Sequence, residues 1–146
     1  MKKIFVRNRN NLNNLLAGVK LGRFICISIT DFSEAFSPYI PNNKDCLGVL
    51  AIRFNDFEES SHSNEIICTE KTGILIAYFI AQHWDQADSV IINCDAGISR
   101  SAGVAVAIAE YYGKSAVDIN TTQLCWMPNS TVKKYTLNGL KSYYSN

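Results

Sequence analysis

The stretch over residues 90–112 constrains this chain more than any other. Val90-Ile91-Ile92 is an unbroken apolar run of the kind that a strand shows when both of its faces are covered. It ends at Asn93-Cys94, five residues follow (Asp95, Ala96, Gly97, Ile98, Ser99), and Arg100-Ser101 open an alanine-rich run that reaches Tyr112. Loop amides at a helix N-terminus point inward and form a nest for an anion. The same positive field favours a thiolate and can lower a cysteine from about 8.5 to roughly 3.5–7.5. An arginine fork grips two oxygens of one phosphate, which the point charge of a lysine does not. A lone cysteine at a strand end would read as a buried small hydrophobe. Gly97, Arg100 and the helix start reverse that reading, and place a nucleophile and an oxyanion clamp within seven residues.

The rest of the chain supplies the frame. Residues 3–6, 23–29, 46–54 and 89–92 carry β-branched and apolar runs that predict strands. Between the last two, Thr69 is placed to cap a helix in which Ile74, Ala77, Tyr78, Ala81 and Trp84 keep helical spacing. A second helix is predicted over 99–112, with Ala102, Ala105, Val106 and Ala109 toward the sheet and Gly113 as its stop. A third begins near Asn129 or Ser130, with Val132, Tyr135, Leu137 and Leu140 as its apolar stripe. Segments 30–44 and 113–128 are turn-rich and polar and read as loops. Strand, helix, strand, helix through 46–112 predicts an α/β sandwich whose ligand crevice lies beyond the carboxyl ends of parallel strands. With 146 residues and neither linker nor repeat, the chain reads as one domain. A domain of that size buries roughly 68–70% of the surface of its unfolded chain.

Composition narrows the function by exclusion. A net charge of +1 gives no push toward nucleic acid or an anionic membrane. The one basic cluster, Lys2, Lys3, Arg7 and Arg9, lacks interleaved aromatics and reads as a solvated edge. The longest apolar run, 73–81, falls short of the roughly 20 residues of a membrane span. Only three apolar residues follow Lys2-Lys3, against the ~7–15 of a signal-peptide core. A soluble, cytoplasmic protein is the expectation. Cys26, Cys46, Cys68, Cys94 and Cys125 are scattered, odd in number and without metal spacing, which fits a reducing compartment. His62 and His83 lack ligand partners at metal spacing and read as surface residues, and Trp84 and Trp126 as packing or pocket-rim groups. Gly113-Lys114-Ser115 lacks the earlier glycine of a nucleotide P-loop, and residues 97–101 lack the second glycine of a serine-hydrolase elbow.

Cys94, five residues, Arg100 and Ser101, with Gly97 inside the loop, resemble the phosphate-binding loop of cysteine-dependent protein tyrosine phosphatases. The Gly-x-Ser-Arg-Ser run ending in small residues through Gly103 is most similar to the small dual-specificity type. The likeness is strongest over 88–113 and extends from about residue 45 onward; Pro128-Asn129 resembles the approach to that family's closing helix. One departure stands out: the family usually has histidine before the cysteine, and here the residue is Asn93.

The resemblance implies a phosphatase-like three-layer sandwich, with helices flanking a central, largely parallel (mixed) sheet. It implies hydrolysis of phosphate monoesters through a phosphocysteine, with no metal or organic cofactor. Phosphate would rest on the amides of Asp95, Ala96, Gly97, Ile98, Ser99 and Arg100, with Arg100 as clamp, Cys94 as nucleophile and Ser101 as hydroxyl donor to the thiolate. The departing oxygen needs a proton from an upstream loop. Asp56, just past a strand and 38 residues before Cys94, is the leading acid, with Glu58 and Glu59 as alternatives. A turn-capping aspartate is the plain alternative for Asp56. Lysines are absent from positions 95 and 96, which tilts the substrate toward phosphotyrosine-like esters and away from inositol phospholipids. The partner is then a phosphorylated protein or a small phosphomonoester. Two rivals remain open: a phosphatase-like module that binds phosphorylated ligands without turnover, and, more remotely, a sulfurtransferase.

Overall fold

The computed structural model describes residues 1–31, 42–58, 67–95, 98–122 and 125–145. In chain order they form β1 (Lys2–Asn8), a 3-10 turn (Arg9–Asn11), α1 (Leu12–Gly18), β2 (Phe24–Thr30) and β3 (Cys46–Arg53). After these come α2 (Glu70–His83), β4 (Ser89–Cys94), α3 (Arg100–Tyr112), β5 (Val117–Thr121) and α4 (Ser130–Tyr144). The five strands make one sheet in the order β3-β2-β4-β1-β5, and every pairing is parallel. The α/β sandwich expected from the sequence is present, and the sheet is parallel throughout.

Every residue of β2 and β4 is buried, as inner strands require when helices cover both faces. Alternation along the strands divides the core. Ile4, Val6, Ile25, Ile27, Ile29, Val90 and Ile92 pack with Ile76, Ile80, Val104, Ile108, Val132 and Leu140 of α2, α3 and α4. On the opposite face Phe5, Phe24, Cys26 and Ile91 pack with Leu12 and Leu15 of α1. Each such side chain contributes about 1.5–3 kcal/mol on burial, so the three layers are held mainly by these two contacts.

Four expectations need correction. Segment 113–128 contains β5, whose short run alternates buried Val117 with exposed Asp118; its polarity is that of an edge strand, not of a loop. The basic cluster is no solvated edge, because β1 lies between β4 and β5. Arg7 is buried and donates to the Asn120 carbonyl (2.8 Å), and Lys2 donates to the Ala87 carbonyl (2.6 Å). In α3, Ala102, Ala105 and Ala109 are buried as predicted, but Val104 and Ile108 are the large core residues and Val106 is half-buried. His83 is also half-buried, with Nδ1 against the Phe79 carbonyl at 2.9 Å; His62 lies outside the described residues.

Register builds the carboxyl edge of the sheet. Asn8 pairs with Cys94, so Arg9 and Asp95, one residue further on, leave adjacent strands side by side. Thr30 pairs with Arg53, so Asp31 and Phe54 emerge together, and the Phe54 amide donates to the Thr30 carbonyl at 3.0 Å. Helices α1 and α3 then depart to opposite faces from the neighbouring strands β1 and β4, which opens a crevice where they diverge.

Gly103, in the first turn of α3, sets how closely α4 begins to that crevice. A Cβ there would lie 2.8 Å from the Asn129 carbonyl oxygen and 3.0 Å from the Val132 Cβ. Gly103→Ala should therefore destabilise the fold by about 1–3 kcal/mol through overpacking, although alanine is the better helix former. Chemical denaturation checks this, and a stability equal to wild type would show that the α3–α4 contact has slack.

Candidate functional site

Cys94 ends β4 at the base of a cavity of about 360 Å³ lined by Asp56, Glu58, Asp95, Ile98, Ser99, Arg100, Met127 and Pro128. The thiol is 2% exposed, and its Sγ lies 3.0 Å from the Ser101 Oγ, itself fully buried. With the cysteine ionised, the hydroxyl is the donor in this pair. Burial pushes the thiols of Cys26 and Cys68 up to about 12, so neither supplies a thiolate near neutral pH. Cys94 is the thiol that the fold directs into a cavity with a cation.

Arg100 opens α3 and is 4% exposed, so its charge needs partners. Nη1 donates to Asp31 Oδ1 and to the Phe54 carbonyl, both at 2.7 Å. Among the described residues Nη2 has only a 3.4 Å contact to Asp95 Oδ2, and Nε has no partner. One edge of the guanidinium is thus anchored to the ends of β2 and β3, while the Nε/Nη2 edge is loosely held. A planar fork with two parallel donors suits two oxygens of a phosphate.

Ser99 occupies the N-cap of α3 without making a capping bond. Its Oγ donates instead to Asp56 Oδ1 at 2.8 Å, across 43 residues of chain. The first-turn amides of α3 are left without a side-chain cap, as an anion site requires. Asn129 completes the wall of the acid. Its Nδ2 donates to the same Asp56 oxygen (3.0 Å) and to the Phe57 carbonyl (3.2 Å), while its Oδ1 caps α4 by accepting from Thr131 and Val132. Both of these donors fall on Oδ1. Glu58 accepts from the Ser130 amide at 3.4 Å, which commits it to the start of α4.

Of the residues singled out in the sequence, Cys94, Arg100 and Asp56 line one cavity with Asp95, Ile98 and Ser99, and Ser101 stands behind the Cys94 thiol without lining it. Ala96, Gly97 and Glu59 lie outside the described residues. Asn93 points to the other sheet face, where it accepts from Ser28 (2.9 Å) and donates to the Ile27 carbonyl (3.3 Å). Its bonds among the described residues brace β4 against β2. Asp31, Asn129 and Arg9, which pairs with Asp95, are site residues that motif reading missed. Asp31 alone carried a signal, since it follows a predicted strand as Asp56 and Cys94 do.

A larger cavity of about 710 Å³ between α3, β5 and α4 is lined by Val106, Glu110, Lys114, Asp118 and Lys133 and holds no nucleophilic thiol. Among the described residues no three His, Cys, Asp or Glu gather as a metal site, and no helix is long and apolar enough to cross a membrane.

No protein-family model matches the chain, and no curated protein matches it. Among solved structures it is similar to the crystal structure of a human tyrosine phosphatase-like serine/threonine/tyrosine-interacting protein. That likeness has a TM-score of 0.51 at 19% identity and covers 95% of this chain and 87% of the other. What the two share is the fold, a phosphatase-like α/β sandwich.

Asn129 serves both the cap and the acid, and substitution can separate the two. Asn129→Ala should cost about 1–2 kcal/mol of stability through the lost cap. Asn129→Ser should recover most of that stability, yet fail to reach Asp56. Thermal melts and the ionisation of Asp56 followed by NMR check this; a serine variant that restores both would remove Asn129 from the acid's support.

Proposed function

We propose that this chain is a cysteine-based phosphatase of tyrosine or dual-specificity type, which hydrolyses phosphate monoesters through a phosphocysteine. The observation that carries the reading is that Cys94, whose Sγ is backed by Ser101 Oγ at 3.0 Å, lines one cavity with Asp56 and with Arg100, whose Nε/Nη2 edge is loosely held. The phosphatase-like fold of the solved neighbour supports it.

The dianion settles on the loop and α3 amides, and the Nε/Nη2 edge of Arg100 takes two of its oxygens. The Cys94 thiolate attacks phosphorus and forms an S–P bond as the ester P–O bond breaks, and Asp56 gives its proton to the departing oxygen. Arg100 and the amides hold the charge that builds on the equatorial oxygens. A water then attacks phosphorus, its proton passes to Asp56, and the S–P bond breaks to release inorganic phosphate. Ser101 donates its hydroxyl hydrogen to the returning thiolate. No lysine flanks the loop at 95 or 96, and the carboxylates of Asp56, Glu58 and Asp95 ring the cavity. An aryl ester such as phosphotyrosine suits this mouth better than a polyanionic headgroup does.

Release of phosphate from an aryl phosphate tests the reading. Cys94→Ser should abolish turnover and retain phosphate binding, and Arg100→Lys should lose most of both. Turnover near wild type in Cys94→Ser would place the nucleophile elsewhere, and binding without turnover in the wild type would leave a capture module. Thiosulfate cleavage in place of aryl phosphate cleavage would point to a sulfurtransferase.

Asp56→Asn should slow esters of poor leaving groups by about 10²–10⁴-fold and activated aryl phosphates far less, with loss of the basic limb of the pH–rate profile. The same pattern in Glu58→Gln instead would move the acid to Glu58.

A further inference from the structure

Asp95 is an awkward neighbour for a phosphate. It follows the nucleophile directly, its carboxylate is about 30% exposed on the cavity wall, and Oδ2 stands 3.4 Å from the arginine nitrogen that a phosphate would use. A close charge-assisted bond is about 2.7–2.9 Å, so this contact is incomplete. The other oxygen, Oδ1, is held by Nη2 of Arg9, which arrives from the turn after β1. Parallel register puts the two side by side, since Asn8 pairs with Cys94 and Arg9 and Asp95 are the next residues out. The turn is itself fixed, because the Asn8 side chain accepts from the Asn11 amide at 2.9 Å.

Charge makes the pair matter. Arg100 carries one positive charge and meets two carboxylates, Asp31 and Asp95. Without Arg9 the cluster is net negative even before the Cys94 thiolate is counted, and an incoming dianion is repelled. Freed from Arg9, Asp95 keeps Arg100 as its ion-pair partner among the described residues, and its two oxygens match the loosely held Nε/Nη2 edge.

We propose that Arg9 is a positioning residue that draws Asp95 off the phosphate-binding edge of Arg100 and neutralises it, which keeps the anion site open. The proposal rests on the phosphatase reading of that site. Arg9 acts through Asp95, not by touching phosphate. Its removal is therefore harmful only while the Asp95 carboxylate is present.

The test uses the full chain and inorganic phosphate as the probe. Phosphate affinity is read from protection of Cys94 against iodoacetate, followed on the Cys94 peptide by mass spectrometry. Arg9→Gln should weaken phosphate about tenfold, a coupling within the range for charged groups in contact. Asp95→Asn alone should tighten it, and Arg9→Gln in the Asp95→Asn background should change affinity by less than about twofold. In turnover, Arg9→Gln should raise KM for an aryl phosphate and leave kcat nearly unchanged. If Arg9→Gln lowers the melting midpoint, Arg9→Lys carries the same test, with partial weakening that Asp95→Asn again removes. Equal weakening in both backgrounds would mean that Arg9 binds the anion itself, and no weakening would mean that the pair is ornamental; either result overturns the proposal. A wild-type chain that phosphate fails to protect would overturn the phosphatase reading and this proposal together. Protection in the wild type with an unaffected Arg9→Gln overturns this proposal alone.

Discussion

The buried guanidinium of Arg100 is the constraint around which the site is arranged. A cation that is 4% exposed must be paired, and here two short bonds from Nη1 fasten it to Asp31 and to the Phe54 carbonyl. Those partners sit at the ends of β2 and β3, so one side chain from the start of α3 ties together three segments that are distant in sequence. The anchoring also decides which donors remain. Nε and Nη2 lie on the edge turned away from the anchor, and this is the edge that the proposed phosphate would take.

Parallel register does the remaining assembly. Because β4 lies between β2 and β1, the residues just past Cys94 meet Arg9 on one side while Arg100 reaches Asp31 on the other. On the far wall, Ser99 gives up its capping bond to hold Asp56, and Asn129 holds the same oxygen while it caps α4. Asp56 is thus oriented by the starts of both α3 and α4. A displacement of either helix would move Asp56 relative to Cys94, so close packing at Gly103 bears on the geometry of the cavity as well as on stability.

What could be read from the sequence was whatever is local along the chain. Cys94, Arg100 and Ser101 are legible because a strand end, a short loop and a helix start bring them together within a few residues. Asp56 is legible because it follows a strong strand. Arg9 and Asn129 are not, and Asp31 is only as a carboxylate just past a strand, because their partners come from segments distant in sequence, and periodicity within one element says nothing of which elements are neighbours. From the sequence Arg9 therefore reads as part of a solvated cluster, although in the fold it pairs with Asp95 at the crevice. β5 escaped for another reason: Val117-Asp118-Ile119-Asn120-Thr121 has the alternation of an edge strand but too few apolar residues to stand out from a loop. Helix α1 is short and carries Asn13 and Asn14, both weak helix formers, so its stability comes from Leu12 and Leu15 against the sheet.

The central claim is that a phosphoryl group passes through the Cys94 sulfur, and the direct measurement is to catch it there. The protein is acid-quenched during turnover of an aryl phosphate, digested and read by mass spectrometry. The account predicts one added phosphoryl group on the peptide that carries Cys94, most abundant in Asp56→Asn, where the water step lacks its base. Phosphate release with no such adduct, or an adduct on a different residue, would contradict it.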